Sequence, residues 1–324
     1  MAERILVTGA NGFVGRHLLA ALAERGEAGA RVFAGRQTGA AGSIDQGEAI
    51  ALDVTDAAQV RSAVKAVQPS VVVHLAAIAA LQEARLDPER TFRVNLQGTM
   101  HLASAVLREA PGARFLFVGT SEVYGGTFKS HTGPLDEGAL LDPTNPYAAS
   151  KAAADLLIGQ MARDGLNAVR LRPFNHTGPG QSEAFVVPAF AAQVARIEAG
   201  RQEPVLRVGN LDALRDFLDV RDVADAYLRA IFAPAIGGGT ILNIASGVPR
   251  RIGEALDGLR ALARVDIRVE PDPTRMRPND TPLAIGDASR ARASLGWTPR
   301  IAWETTLADT LDHWRKMVAY GQAG

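Results

Sequence analysis

The 324-residue chain contains no cysteine. Disulfides, thiolate nucleophiles and thiolate metal sites are thereby excluded, and no metal site is expected. Lysine is scarce: Lys65, Lys129, Lys151 and Lys316 stand against thirty-one arginines. Formal net charge is zero, so no basic excess points to nucleic acid as a partner. No apolar run reaches the ~20 residues that span a bilayer, and no membrane role is expected. Met1-Ala2-Glu3-Arg4 passes straight into strand-like Ile5-Leu6-Val7-Thr8, leaving no room for a signal peptide; the expectation is a cytoplasmic protein. Internal repeats and low-complexity segments are absent. What remains is a chain with 47% hydrophobic residues, enough for a sizeable core in one large domain or two closely joined ones.

The first strand runs into Gly9-Ala10-Asn11-Gly12-Phe13-Val14-Gly15, and an amphipathic pattern predicts a helix from Phe13 to Arg25. Glycines let the chain turn tightly and approach a ligand, and the helix N-terminus presents free N–H groups to a pyrophosphate. The spacing is G-x-x-G-x-x-G rather than G-x-G-x-x-G, but its place between strand and helix favours a dinucleotide. A second strand, Arg31 to Gly35, ends at Arg36. A guanidinium there suits the 2′-phosphate of NADP, which a carboxylate would repel. NADP(H) is therefore favoured, with NAD(H) as the alternative; a solvated Arg36 is the bland reading.

A third strand, Ala49 to Asp53, places Asp53 and Val54 where an adenine ring can lie, although Asp53 and Asp56 compete to cap the next helix. Val71 to Ala77 forms a fourth strand, apolar enough to be buried on both faces; Leu75, Ala76 and Ala77 at its end let a cofactor pass close. His74 within it reads as structural. A long helical region is predicted from about Pro88 to Ala110, carrying Asn95, which either serves the active site through water or holds the sheet. The fifth strand, Arg114 to Gly119, delivers Thr120-Ser121-Glu122-Val123-Tyr124-Gly125 at its C-terminal edge, and a sixth runs from Ala168 to Arg172. Strand and helix alternate throughout, predicting an α/β fold with a doubly wound parallel sheet. Later helices are expected near 185–199, 220–232, 252–264, 287–295 and 303–319, with a return strand at 241–245.

Between the fifth and sixth strands lies Asn145-Pro146-Tyr147-Ala148-Ala149-Ser150-Lys151. Residues four apart share a helix face, so Tyr147 and Lys151 stand one turn apart. A held ammonium beside a phenol favours phenolate and is expected to draw the Tyr147 pKa toward working pH. Tyr147 can then give a proton to a carbonyl oxygen or take one from a hydroxyl. An isolated Y-x-x-x-K is more often an ordinary surface pair; the order of elements around this one argues otherwise.

Thr8-Gly9-x-x-Gly12-Phe13-x-Gly15, Thr120 to Gly125, Tyr147-x-x-x-Lys151 and Arg172-Pro173-Phe174-Asn175, in that order, resemble the extended short-chain dehydrogenase/reductase family of nucleotide-sugar enzymes. Three stretches resemble its GDP-4-dehydro-6-deoxy-D-mannose reductase branch: Arg172 to Gln181, Val208 to Asp222, and Arg277-Pro278-Asn279-Asp280 with Ile285-Gly286-Asp287. The resemblance implies a Rossmann domain from residues 1–172 plus about 217–246, and a nucleotide-sugar lobe from about 173–216 plus 247–324. It implies NADP(H) or NAD(H) held by Gly9, Asn11, Gly12, Phe13, Val14, Gly15, Arg36, Asp53, Val54, Leu75, Ala76, Ala77, Tyr147, Lys151 and Pro173. It also implies a GDP-sugar substrate held by Asn175, Val186, Asn210, Arg215, Arg277 and Asp280.

The activity implied is reduction of a sugar C4 ketone. Tyr147 would be the proton donor, Thr120 a second hydroxyl on the same oxygen, and Lys151 would hold the nicotinamide ribose. A carboxylate at Asp280 can accept from the N1–H and exocyclic amine of guanine together. Glu122 occupies the place of the base in the sister GDP-mannose 4,6-dehydratases, so that lyase is the alternative. Behind it stand a nucleotide-sugar epimerase and then a non-catalytic NADP-binding protein. His176 reads as positioning or structural rather than catalytic. In relatives the helices after the fourth strand and around Tyr147 form a dimer bundle, so a homodimer is expected.

Overall fold

The computed structural model describes residues 3–26, 29–37, 46–233, 236–276 and 281–321. In the N-terminal half, β1 (Arg4–Thr8), β2 (Arg31–Arg36), β3 (Glu48–Ala51), β4 (Val71–His74), β5 (Arg114–Val118) and β6 (Asn167–Pro173) are joined through helices. These are α1 (Phe13–Arg25), α2 (Ala57–Val67), α3 (Leu81–Leu86), α4 (Pro88–Phe92), α5 (Gly98–Glu109) and α6 (Pro146–Arg163). The runs Ile5-Leu6-Val7 and Val71-Val72-Val73 are buried on both faces, as central strands of a parallel sheet must be.

Beyond β6 come β7 (Asn175–Thr177), α7 (Val186–Glu198), β8 (Val205–Val208), β9 (Leu214–Asp219), α8 (Val220–Phe232) and β10 (Thr240–Ile244). The rest is β11 (Pro249–Arg251), α9 (Ile252–Ala261), β12 (Arg268–Pro271), β13 (Leu283–Ala284), α10 (Ser289–Leu295) and α11 (Trp303–Ala319). The main sheet has seven strands in the order β3-β2-β1-β4-β5-β6-β10, all parallel. Strand order reverses between β1 and β4, where open α/β sheets leave a crevice at their carboxyl edge. This is the doubly wound sheet expected from the sequence. Around β9 gather β7, β11 and β13, and β8 pairs with β12. A second apolar core, including Phe190, Leu206, Phe217, Leu256, Trp303 and Leu311, lies between these strands and α7, α9 and α11.

Three local expectations change. The helix anticipated from Pro88 to Ala110 is divided by a π-helical turn, Arg93–Gln97. That turn carries buried Asn95, whose amide bonds both N and O of Ile78 and Ser150 Oγ, so Asn95 holds the chain after β4. The third strand ends at Ala51, and it is Asp56 that caps α2. Asp53 accepts instead from the N and Oγ1 of Thr55 and from Gln37. The short strands of the second half, apart from β10, were not anticipated; β9, only six residues long, places Arg215 next to Asp216 and Phe217 next to Leu218 and so shows no alternation of charged and apolar groups.

Three carboxylates spaced three apart around the β9–α8 junction fasten the C-terminal segments. Asp216 accepts from the amides of Ser246, Gly247 and Gly286. Asp219 caps α8 through Arg221 N and receives the Thr306 hydroxyl. Asp222 takes the amides of Arg300 and Ile301. Each is buried, and each is satisfied by donors from distant chain, as buried charge requires.

On the other side, α6 is tied to the sheet by Asp155, which is fully buried and meets Arg170 and Arg172 of β6 at 2.9 Å each. Arg172 also donates to Tyr124 and to the Glu137 carbonyl. Removing one partner of such a pair leaves an uncompensated charge, typically costing about 3–5 kcal/mol. Asp155→Ala is therefore expected to lower the unfolding free energy by about that amount in a denaturant titration, with no such loss for the exposed pair variant Glu83→Ala.

Candidate active site

The glycine turn, Ala76 and Thr120 all lie at the carboxyl edge of the sheet, after β1, β4 and β5. Gly9 has φ +68° and its backbone lies against that of Ala76; a Cβ there would come within 2.8 Å of Ala76 N. At Gly15 a Cβ would meet the carbonyls of Gly9 and Ala10 at 2.4 and 2.6 Å. These two glycines thus serve chain-to-chain packing as well as any approach of a ligand. Gly12 is the N-cap of α1, with no side-chain cap and no acidic residue in the first turn. The first N–H groups of α1, at Phe13, Val14 and Gly15, have no intrahelical acceptor, the arrangement that receives a phosphate. Asn11 sits in this turn and its carbonyl accepts from Arg16. Arg36 ends β2, and Leu75 and Ala77 flank Ala76 beyond β4. Val54 is buried beneath Gly98. The glycine turn, Arg36 and Leu75 to Ala77 thus stand at the carboxyl ends of three neighbouring strands, β1, β2 and β4.

Asn145 and Pro146 start α6. The Asn145 side chain accepts from Ala148 N at 2.8 Å and Pro146 occupies a first-turn position, which pre-organises the helix. Small buried Ala148, Ser150, Ala152 and Ala154 let α6 lie close to its neighbours, bringing Tyr147 to Thr120. The Thr120 hydroxyl lies near enough to the Tyr147 phenol to favour its ionised form. Lys151, 2% exposed, donates to the Val118 carbonyl at 2.7 Å and lies over the Phe117 ring. Glu122 accepts weakly from Asn145 Nδ2 at 3.4 Å. Thr120, Tyr147, Lys151 and Glu122 are therefore gathered into one corner, with Pro173 ending the neighbouring strand.

The expected depression of the Tyr147 pKa is not found. Burial pushes the phenol up to about 12; the Thr120 hydroxyl opposes this and the Glu122 charge adds to it. Burial pushes Lys151 down to about 7, against the pull of Asp155. The lysine is buried deeply enough to lose much of its own charge, and its head is committed to a backbone carbonyl. Tyr147 thus keeps its proton at neutral pH.

Asn175 lies on β7 opposite Phe217, two residues beyond Arg215 on β9. Arg215 donates to the carbonyls of Leu214 and Thr281. Val186 opens α7, which likewise has no side-chain cap. Asn210 accepts from Asp212 N in the loop before β9. Arg277 and Asp280 lie outside the described residues.

Sequence reading did not find the connection between the glycine loop and the chain after β7. His176 stacks on Phe13 with ring planes 4° apart and bonds the Phe174 carbonyl. Arg16 donates to the Gly180 carbonyl and His17 bonds that of Pro179. His176 therefore has a packing role. The only sequence signal was the Phe-His content of α1's first turns, which has no partner until the fold supplies one.

A model of the GDP-mannose 4,6 dehydratase family matches residues 6–310. The chain belongs to that family. Its curated relatives include a GDP-6-deoxy-D-mannose reductase from Pseudomonas aeruginosa, 34% identical over 98% of this chain and 99% of the relative. A UDP-glucose 4-epimerase from Streptomyces lividans is 30% identical over 97% and 96%. Among solved structures, RMD from Pseudomonas aeruginosa complexed with NADPH superposes with a TM-score of 0.82 at 32% identity, over 97% and 99% of the two chains. The UDP-glucose 4-epimerase of Thermus thermophilus in complex with NAD gives 0.84 at 28%, over 96% and 99%. Family membership thus covers reductase, dehydratase and epimerase chemistry on one fold.

The buried lysine carries a pH signature. Its folded pKa of about 7 lies below the ordinary 10.5, so the unfolded chain binds the extra proton between those values. Stability from this group therefore rises from pH 7 toward 10.5. Relative to Lys151→Met, wild type is expected to gain about 2 kcal/mol of unfolding free energy between pH 7 and pH 9, measured by denaturant titration.

Proposed function

We propose that the protein reduces the C4 ketone of GDP-4-dehydro-6-deoxy-D-mannose to a GDP-6-deoxyhexose, GDP-D-rhamnose or its C4 epimer. The observation that carries this reading is the Tyr147 phenol, protonated at neutral pH and set beside Thr120 at the carboxyl edge. A phenol that retains its proton suits donation to a ketone oxygen better than abstraction from an alcohol. The reductase relative, alike over nearly its whole length, supports the substrate class.

NADP(H) is the cofactor favoured by Arg36 and by the NADPH of the solved relative; the NAD of the epimerase neighbour keeps NAD(H) as the alternative. Gly12, Phe13, Val14 and Gly15 hold the pyrophosphate, Asn11, Asp53, Val54, Leu75, Ala76 and Ala77 the adenosine side, and Pro173 the nicotinamide side. When bound, the reduced nicotinamide supplies hydride. Tyr147 delivers the proton as charge grows on the ketone oxygen, and Thr120 donates a hydrogen bond to the same oxygen. Lys151 holds the nicotinamide ribose. On the substrate side, Asn175, Asn210, Arg215 and Arg277 address the diphosphate region, Val186 opens α7 toward it, and Asp280 reads guanine. The lobe division at about 173–216 and 247–324 belongs to the same reading.

Glu122 favours a second reading, GDP-mannose 4,6-dehydratase, because its carboxylate acts on the Tyr147 phenol. A homodimer is also part of the proposal: Met100 on α5 and Leu156 on α6 are 41% and 62% exposed, apolar surface that a second copy would bury. Sedimentation is expected to give twice the chain mass, falling to one chain in Leu156→Glu; a monomeric wild type removes the dimer. For activity, purified protein is expected to oxidise NADPH faster than NADH with the 4-keto sugar, and Tyr147→Phe to lose turnover by more than about 100-fold while binding NADPH. Conversion of GDP-mannose to the ketone, without ketone reduction, would replace the reductase by the dehydratase.

A further inference from the structure

A line of buried polar groups runs between the glycine loop and the active-site helix. Thr8, immediately before Gly9, lies 2.8 Å from His74 Nδ1. His74 Nε2 is 2.9 Å from Thr99 Oγ1. Thr99 donates to the Asn95 carbonyl at 2.6 Å, and Asn95 Nδ2 donates to Ser150 Oγ at 3.0 Å. Ser150 in turn donates to the Tyr147 carbonyl at 2.7 Å. All five of these side chains are buried.

The protons have one consistent assignment. Thr99's only hydrogen goes to Asn95, so it must accept from His74, which places the ring proton on Nε2. His74 Nδ1 then accepts from the Thr8 hydroxyl, whose free lone pair takes Ala76 N–H at 3.3 Å. Along this line one N–H or O–H of each residue from Thr8 to Ser150 points toward the backbone of Tyr147; the line enters Asn95 at its backbone carbonyl and leaves by its side-chain amide, whose other N–H goes to the Ile78 carbonyl. Buried chains of this kind rigidify when every member is satisfied. Asn95 also closes both sides of the Ile78 peptide, so the chain fixes the cofactor-facing segment after β4.

We propose that His74 and Thr99 are positioning residues that hold the glycine loop, the 75–78 segment and Tyr147 in one register, so that cofactor and proton donor are aligned together. The proposal rests on the ketone-reductase reading for its kinetic readout alone. His74 stays neutral throughout the working pH range, since burial pushes its pKa down to about 3; the chain is a fixed brace rather than a proton path.

The test uses full-length protein with saturating NADPH and GDP-4-dehydro-6-deoxy-D-mannose. Thr99→Val is expected to lower kcat about tenfold or more with the ketone KM within about twofold, and Thr99→Ser to restore it. Ser150→Ala, a milder change at the far end, is expected to lower kcat similarly. The double variant Thr99→Val/Ser150→Ala should fall no more than about twofold below the worse single variant, because both break one chain. Multiplied losses of about a hundredfold, kcat unchanged in either single variant, or failure of serine to restore it overturns the proposal. NADPH binding, read from nicotinamide fluorescence without sugar, is expected to weaken about threefold or more in Thr99→Val and to recover in Thr99→Ser. If wild type fails to reduce the ketone, the functional assignment falls while this binding series still decides the brace, and an unaltered Kd in Thr99→Val then rejects it.

Discussion

The ion pair between Asp155 and the two arginines of β6 sets the position of everything chemical in this molecule. Asp155 lies one helical turn after Lys151, so the carboxylate that pins α6 to the sheet also supports the buried ammonium. A helix tethered there cannot rotate without leaving Arg172 unpaired in the interior, at several kcal/mol. The phenol one turn in the other direction is consequently held against Thr120 by a constraint that lies outside the reacting groups.

That constraint explains why the site can be assembled at a strand edge. Carboxyl edges supply loops free to carry function, but loops alone place groups loosely. Here the loops are stiffened from beneath: Asn95 closes the Ile78 peptide, His176 stacks on Phe13, and Arg16 and His17 grip the carbonyls of 179–180. Polar groups satisfied in the interior give orientation that apolar packing by itself does not.

Much of this was legible in the sequence, for identifiable reasons. The doubly wound sheet followed from apolar strand runs alternating with helical periodicity, and the glycine turn and Tyr147–Lys151 pair from fixed local spacing. Asn145-Pro146 announced the start of α6 by local chemistry. What escaped depends on partners far apart in the chain. The π turn at Asn95 exists because of Ile78 and Ser150, which no helical propensity reports. The direction of the Tyr147 pKa escaped because spacing gives proximity to a lysine but not the burial that discharges it. The short strands around β9 escaped because they are only two to six residues long and β9 lacks alternation, its buried Asp216 being satisfied by distant amides rather than by solvent. Asp216, Asp219 and Asp222 sat within a stretch noticed for its family likeness, and their shared task of fastening later segments appears only in three dimensions.

Those three carboxylates also order events during synthesis. A chain leaves the ribosome from its N-terminus, and domains begin to organise as they emerge. Asp222 is made 78 and 79 residues before the amides of Arg300 and Ile301 that satisfy it, and Asp219 precedes Thr306 by 87. Until those last residues arrive, the β9–α8 junction cannot bury its charges and must remain hydrated. The strands gathered around β9 are therefore fastened only after Arg300, Ile301 and Thr306 have been made, when all seven strands of the main sheet have already been synthesised.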